Sequence, residues 1–139
     1  MSASFASLNW LAIILATVSA FVIGGAWYSP ALFGKQWQRL IGLSDEELKR
    51  GSPAKIFGGA FVLTLFAAFN LAMFIGPESP QSTFGFAVMA GFLTGFGWVA
   101  MAYGVTYLFE RRPTAVWLIN AGYWVVALTV MGAIIGWLR

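Results

Sequence analysis

The sequence predicts an all-α fold: a four-transmembrane-helix bundle with a short amphipathic interfacial helix between spans 1 and 2. Three observations lead there. First, 60% of the 139 residues are hydrophobic and only 9% are charged, against about 25% charged in an average soluble domain. A chain this poor in charge could not cover a water-facing surface, so membrane is its class. Second, four stretches reach the roughly 20 apolar residues needed to cross a bilayer core. They are 8–28, 56–75, 83–107 and 115–138, and none holds Asp, Glu, Lys or Arg. Third, the basic residues are one-sided. Lys35, Arg39, Lys49, Arg50 and Lys55 lie between spans 1 and 2, and Arg111 and Arg112 lie between spans 3 and 4. Only Arg139 belongs to the other side. By the positive-inside rule both links face the cytoplasm and both termini lie outside. The chain, 1–139, is read as one membrane domain, with a cytoplasmic interfacial segment at about 30–52.

The first span carries a passable signal-cleavage site at Val18-Ser19-Ala20. A cleavable signal is disfavoured: no Lys or Arg precedes the apolar run, and the run continues to Ala26. The span should stop at Ser29, because a residue before proline is biased away from helix. Ser29 can then cap a new helix with Pro30 at its first position. On that helix Phe33, Trp37, Leu40 and Ile41 share one face, and Lys35, Gln36, Gln38 and Arg39 share the other. Such a segment lies flat in the interface, rings toward the lipid. Trp27, Tyr28 and Trp37 stand where aromatic belts form. Gly42 breaks the helix, and Ser44 with Glu47 forms a capping box for a short polar helix running to Arg50.

Span 2 is opened by Ser52 as cap and Pro53 at the first position, and Gly76-Pro77 ends it. Ser79-Pro80 can open span 3, and Pro113, after Glu110-Arg111-Arg112, can open span 4. Small residues recur at spacing four in every span: Ala12, Ala16, Ala20 and Gly24; Ala60, Thr64, Ala68 and Ala72; Ala87, Gly91 and Gly95; Gly132 and Gly136. Each stripe offers a groove for another backbone. Packing within the bundle is the preferred reading, with room left for a homo-oligomer.

Two carboxamides, Asn70 and Asn120, fall well inside spans, where an unpaired polar group costs several kcal/mol. At 1.5 Å of rise per residue their depths differ by roughly 14 Å, so they do not pair. Tyr103 is at the matching depth for Asn120, Tyr123 is one turn from Asn120, and Tyr28 and Tyr107 lie near the same side. Asn120, Tyr103, Tyr123 and Tyr28 are therefore the candidate polar cluster, in the cytoplasmic half and roofed by the turn after span 1. The plainer reading is an interhelical hydrogen bond that fixes packing, worth about 0.6–2 kcal/mol.

The chain has no Cys and no His. This excludes disulfides, thiolate nucleophiles, imidazole bases and zinc sites built from those ligands. No carboxylate pair sits within a span, so proton-relay chemistry has no support. Gly24-Gly25 and Gly95-x-Gly97 lie in spans and are packing glycines, because a phosphate loop needs a strand before it and a Lys after it. Arg111 and Arg112 read as interfacial anchors, and Asp45, Glu46 and Glu47 as a solvated helix start. No catalytic residue, metal, cofactor or nucleic-acid partner is expected. The expected partners are anionic lipid headgroups at the basic links and, by self-association, further copies of the chain. The leading function is a non-enzymatic accessory or structural membrane component. The competing one is a small oligomeric transporter or channel for an uncharged or weakly polar solute.

One block stands out by its residues: Trp27-Tyr28-Ser29-Pro30, then Phe33-Gly34-Lys35 and Trp37, followed by Gly42-Leu43-Ser44-Asp45-Glu46-Glu47-Leu48-Lys49. Together with Ile119-Asn120-Ala121-Gly122-Tyr123 and Met131-Gly132-Ala133-Ile134, it resembles the bacterial membrane family called domain of unknown function 1761, over essentially the whole chain. The resemblance implies a small four-span protein of the bacterial plasma membrane and implies no activity. Members carry His one residue after the Gly-Tyr, where this chain has Trp124, so a proton or metal function of that His would be missing here.

Overall fold

The computed structural model describes residues 8–139; residues 1–7, the start of the N-terminus expected outside, lie beyond the described residues. Four helices are long and apolar enough to cross a membrane: Trp10–Trp27, Pro53–Ile75, Phe84–Glu110 and Thr114–Leu138. The described residues contain no strand. The chain is a multi-pass, all-α membrane protein.

The first span, α1 (Trp10–Trp27), is capped by Asn9, whose side chain accepts from the Ala12 N–H at 3.1 Å. Two short helices follow, α2 (Gly34–Ile41) and α3 (Asp45–Lys49). The expected cap on α2 is not there. Ser29 Oγ instead donates back to the Ala26 carbonyl at 2.7 Å, and residues 28–33 form turns. A serine hydroxyl satisfies a preceding carbonyl or a following N–H, and here the end of α1 claims it. The helix thus begins four residues after Pro30. It is two-sided: Trp37, Leu40 and Ile41 are half-buried, and Lys35, Gln36 and Arg39 are exposed. Gln38 departs from the expected pattern, half-buried and donating to Asp45 at 2.8 Å. The capping box on α3 is present, with the Glu47 N–H donating to Ser44 Oγ at 3.1 Å.

Span 2, α4 (Pro53–Ile75), has the Ser52 cap and Pro53 in its first turn. It ends at Gly76, whose φ of 68° suits a residue without Cβ. Ser79-Pro80 does not open span 3. Ser79 closes a turn with Ser82, and Thr83 caps the helix by accepting from the Phe86 N–H at 3.1 Å. Span 3 is α5 (Phe84–Leu93), a π-helical stretch over Thr94–Ala100, and α6 (Met101–Glu110). Span 4 is α7 (Thr114–Leu138), which follows Pro113.

α7 is the central helix; α1 and α5 pack along it, and α4 leans chiefly on α1. Ile13, Ala16, Ala20, Ala68, Ala72, Ala87, Leu128 and Met131 form the core. The small-residue stripes are spent inside it. A Cβ on Gly91 would run into the Leu128 carbonyl, one on Gly132 into the Ala87 carbonyl, and one on Gly95 would come within 2.8 Å of Val125 Cα. The backbones of spans 3 and 4 touch there, which is how helices gain dispersion energy in a solvent as apolar as they are.

The two ends of the bundle are tied differently. At one end, Asn9 Nδ2 donates to the Leu138 carbonyl at 2.6 Å, and the Arg139 guanidinium donates to the Gly76 carbonyl and to Ser82. Both termini and the span 2–3 link therefore share that end. The span 1–2 and 3–4 links share the other, which holds seven of the eight Lys and Arg once Lys55 in the first turn of α4 is included.

Candidate functional site

At the basic end the chain leaves α1 through Trp27-Tyr28-Ser29-Pro30 and folds back on itself. The Phe33 N–H donates to the Trp27 carbonyl at 3.0 Å, and the Gly34 N–H donates to the Ser29 carbonyl at 2.9 Å. Gly34 is required at this crossing, because a Cβ would strike the Tyr28 and Ser29 carbonyls. The fold-back brings the motif's rings together: Phe33 lies 5.0 Å from Trp27, tilted, and Trp37 lies 5.6 Å, edge-on, from Tyr28. Lys35 and Pro30 stay exposed.

The motif is then nailed to span 4. Trp27 Nε1–H donates to the Ile119 carbonyl at 2.9 Å, and its ring sits over Gly122, where a Cβ would come within 3.1 Å of it. The Tyr28 hydroxyl donates to Asn120 Oδ1 at 2.7 Å, and Asn120 Nδ2 donates to the Tyr107 hydroxyl at 3.0 Å. One carboxamide thus joins spans 1, 3 and 4. Beyond it, the Arg112 guanidinium lies over the Tyr107 ring at 5.6 Å and pairs with Glu110 at 2.6 Å.

The candidate residues divide. Tyr28 and Asn120 are bonded. Tyr123 turns toward span 1 and donates to the Ala20 carbonyl at 2.8 Å, with its ring 5.7 Å from Tyr28 and beside Gly24. Tyr103 does not pair with Asn120. Its ring lies 5.4 Å from that of Tyr107, tilted against it. The partner is Tyr107, one turn further along, and the reason is geometric. Side chains on a helix lean toward its N-terminus. Span 3 enters this end last and span 4 leaves it first. Tyr107 therefore leans inward from the basic end while Asn120 leans back toward it, and the two meet. Tyr103 leans away. Matching Cα depths misses this tilt.

Asn70 corrects a second expectation. It is exposed on the flank of α4, because Ala68, Leu71 and Ala72 take the side that faces the bundle. Among the described residues no group bonds its side chain. It lines a cleft of about 850 Å³ that also holds Tyr103 and Trp124.

Two tryptophan contacts carry no signal in the sequence. Besides the Trp27 bond to Ile119, Trp117 Nε1–H donates to the Ala100 carbonyl at 2.8 Å, at the end of the π stretch. Gly104 makes room for that indole. A carbonyl has no sequence code for a cross-helix donor, so only the folded geometry reveals such pairs.

Chemically, the cluster is an uncharged chain of hydroxyl, amide and hydroxyl with a guanidinium at its open end. It can hold helices in register and exchange hydrogen bonds. Tyrosine and carboxamide do not change charge near neutral pH in ordinary surroundings. Among the described residues no three of His, Cys, Asp and Glu gather where a metal could bind.

No curated protein and no solved structure matches the chain. Residues 11–136 match the family described as "Protein of unknown function (DUF1761)", and with nearly its whole length inside that match, through the fold-back motif and the span 4 residues it docks on, the chain belongs to that family.

Proposed function

We propose that this protein is a non-enzymatic accessory or structural component of the bacterial plasma membrane that works by self-association. The observation that carries the reading is the open face of span 2. Residues 53–59, the part of α4 nearest the basic end, are all exposed, with Phe57 at 61%, and a Cβ at Gly58 or Gly59 would meet nothing. Gly58 and Gly59 point about 100° apart round the helix, and at either one a second backbone can approach closely. Tyr28, Tyr107, Asn120 and Tyr123, with the indoles of Trp27 and Trp117, are meanwhile occupied in joining helix to helix, which fits a scaffold better than a catalyst.

The same reading puts the basic end in the cytoplasm, following the charge bias. α2 then lies along the inner leaflet, with Trp37 packed on Tyr28 and Lys35 and Arg39 toward anionic headgroups. The test is the oligomeric state of the purified protein in lipid nanodiscs or mild detergent, by sedimentation or by single-molecule photobleaching. The natural chain is expected to be a dimer or larger, and a Gly58→Ile, Gly59→Ile double variant to shift toward monomer with its helix content kept. A natural chain that is monomeric at every protein-to-lipid ratio contradicts the proposal.

A further inference from the structure

Spans 2 and 3 meet at the end that holds the termini, where Phe74 stacks on Phe86 at 5.8 Å, and part below that contact. The gap is a cleft of about 850 Å³ with Trp124 of span 4 among its lining residues. Its volume falls within the range of small-molecule sites, and like those sites it is mostly apolar with a few polar groups. No Lys, Arg, Asp or Glu lines it. It lies within the membrane-crossing part of the bundle, so an occupant arrives from the bilayer.

One hydrogen-bonding group faces into the cleft with capacity to spare. Asn70 has no partner among the described residues. An amide left unpaired in hydrocarbon costs several kcal/mol, so its presence there calls for a partner from outside the chain. The N–H groups of the Asn70 carboxamide offer a proton to an acceptor. The walls of the cleft are aromatic: Phe74, Phe86, Trp98 and Trp124. The π-helical stretch of span 3 contributes Trp98, and such turns are frequent at functional sites.

We propose that this cleft binds an uncharged, membrane-soluble molecule whose apolar body carries a hydrogen-bond-accepting carbonyl, with Asn70 as the principal donor to that oxygen. Quinones and fatty esters share this chemistry. A second copy of the chain is the less favoured occupant, since the open glycine face of span 2 lies nearer the basic end than the cleft.

The protein in detergent micelles is titrated with a decyl-substituted benzoquinone, and quenching of tryptophan fluorescence is followed. Saturable quenching is expected, with its amplitude reduced in Trp98→Phe and Trp124→Phe. Asn70→Leu is expected to raise the midpoint about fivefold to tenfold, the equivalent of one hydrogen bond. It should leave the unfolding temperature unchanged or higher, because Asn70 bonds nothing in the chain. Methyl laurate is then added as competitor. Displacement of the quinone means that any apolar carbonyl compound suffices, and failure to displace it means that the flat ring is also needed; both outcomes support the carbonyl site. Dodecane, which has no acceptor, is expected to compete poorly. An unchanged midpoint in Asn70→Leu, equal competition by dodecane, or loss of an oligomer in Asn70→Leu without change in quenching would overturn the proposal.

Discussion

Asn120 is one carboxamide bonded to two tyrosines on two other spans, 2.7 Å from Tyr28 and 3.0 Å from Tyr107. Replacing it with leucine keeps the volume and removes both bonds, leaving two hydroxyls without partners. Asn120→Leu is expected to lower stability by about 1–3 kcal/mol, and Tyr107→Phe, which leaves Asn120 its bond to Tyr28, by about 0.5–1.5 kcal/mol. Unfolding in mixed micelles checks both, and losses of only a few tenths would mean that the bonds contribute little. The need for a partner at Asn120 was legible in the sequence, because hydrocarbon offers none. The identity of the partner was not, since counting 1.5 Å per residue follows the backbone and ignores the lean of the side chain. Asn70 fails for a different reason. Sequence places an amide at a depth, but which flank of the helix it occupies depends on which neighbours the bundle buries.

Among the helices, the stops and starts with strong local chemistry were readable: the Ser44 and Glu47 capping box, Ser52 with Pro53, and the glycine at 76. Ser29-Pro30 was ambiguous, because the same pair serves a helix cap or a turn, and the end of α1 decided it. The π stretch of span 3 has no local signature at all. It arises where Gly95 lies against the Trp124–Val125 backbone and Trp117 reaches the Ala100 carbonyl. Two glycines of this span make a paired test. A Cβ at Gly91 collides with the Leu128 carbonyl, whereas one at Gly97 meets nothing within 4 Å. Gly91→Ala is expected to cost about 1–3 kcal/mol through overpacking. Gly97→Ala should cost nothing and can gain up to about 1 kcal/mol from reduced backbone entropy in the unfolded chain. Thermal unfolding followed by circular dichroism separates them, and equal effects would contradict the close contact of spans 3 and 4.

The whole molecule rests on the distribution of charge along an otherwise apolar chain. Four apolar helices, seven basic residues toward one end and a single arginine at the other fix both the bundle and its proposed sidedness. Composition alone made the four spans legible, because nothing but lipid accommodates such a chain. It could not reveal that span 4 would be the centre, since all four helices are nearly equally apolar, and only the contacts of Gly91, Gly95 and Gly132 select it. The chain contains no cysteine, so single-cysteine variants report sidedness without background. Ser44→Cys lies in the span 1–2 link and Ser79→Cys in the span 2–3 link. Labelling intact cells with a membrane-impermeant maleimide is expected to modify Ser79→Cys alone, with Ser44→Cys reacting only after the membrane is opened. Modification of Ser44→Cys in intact cells, or of both variants alike, would contradict the account.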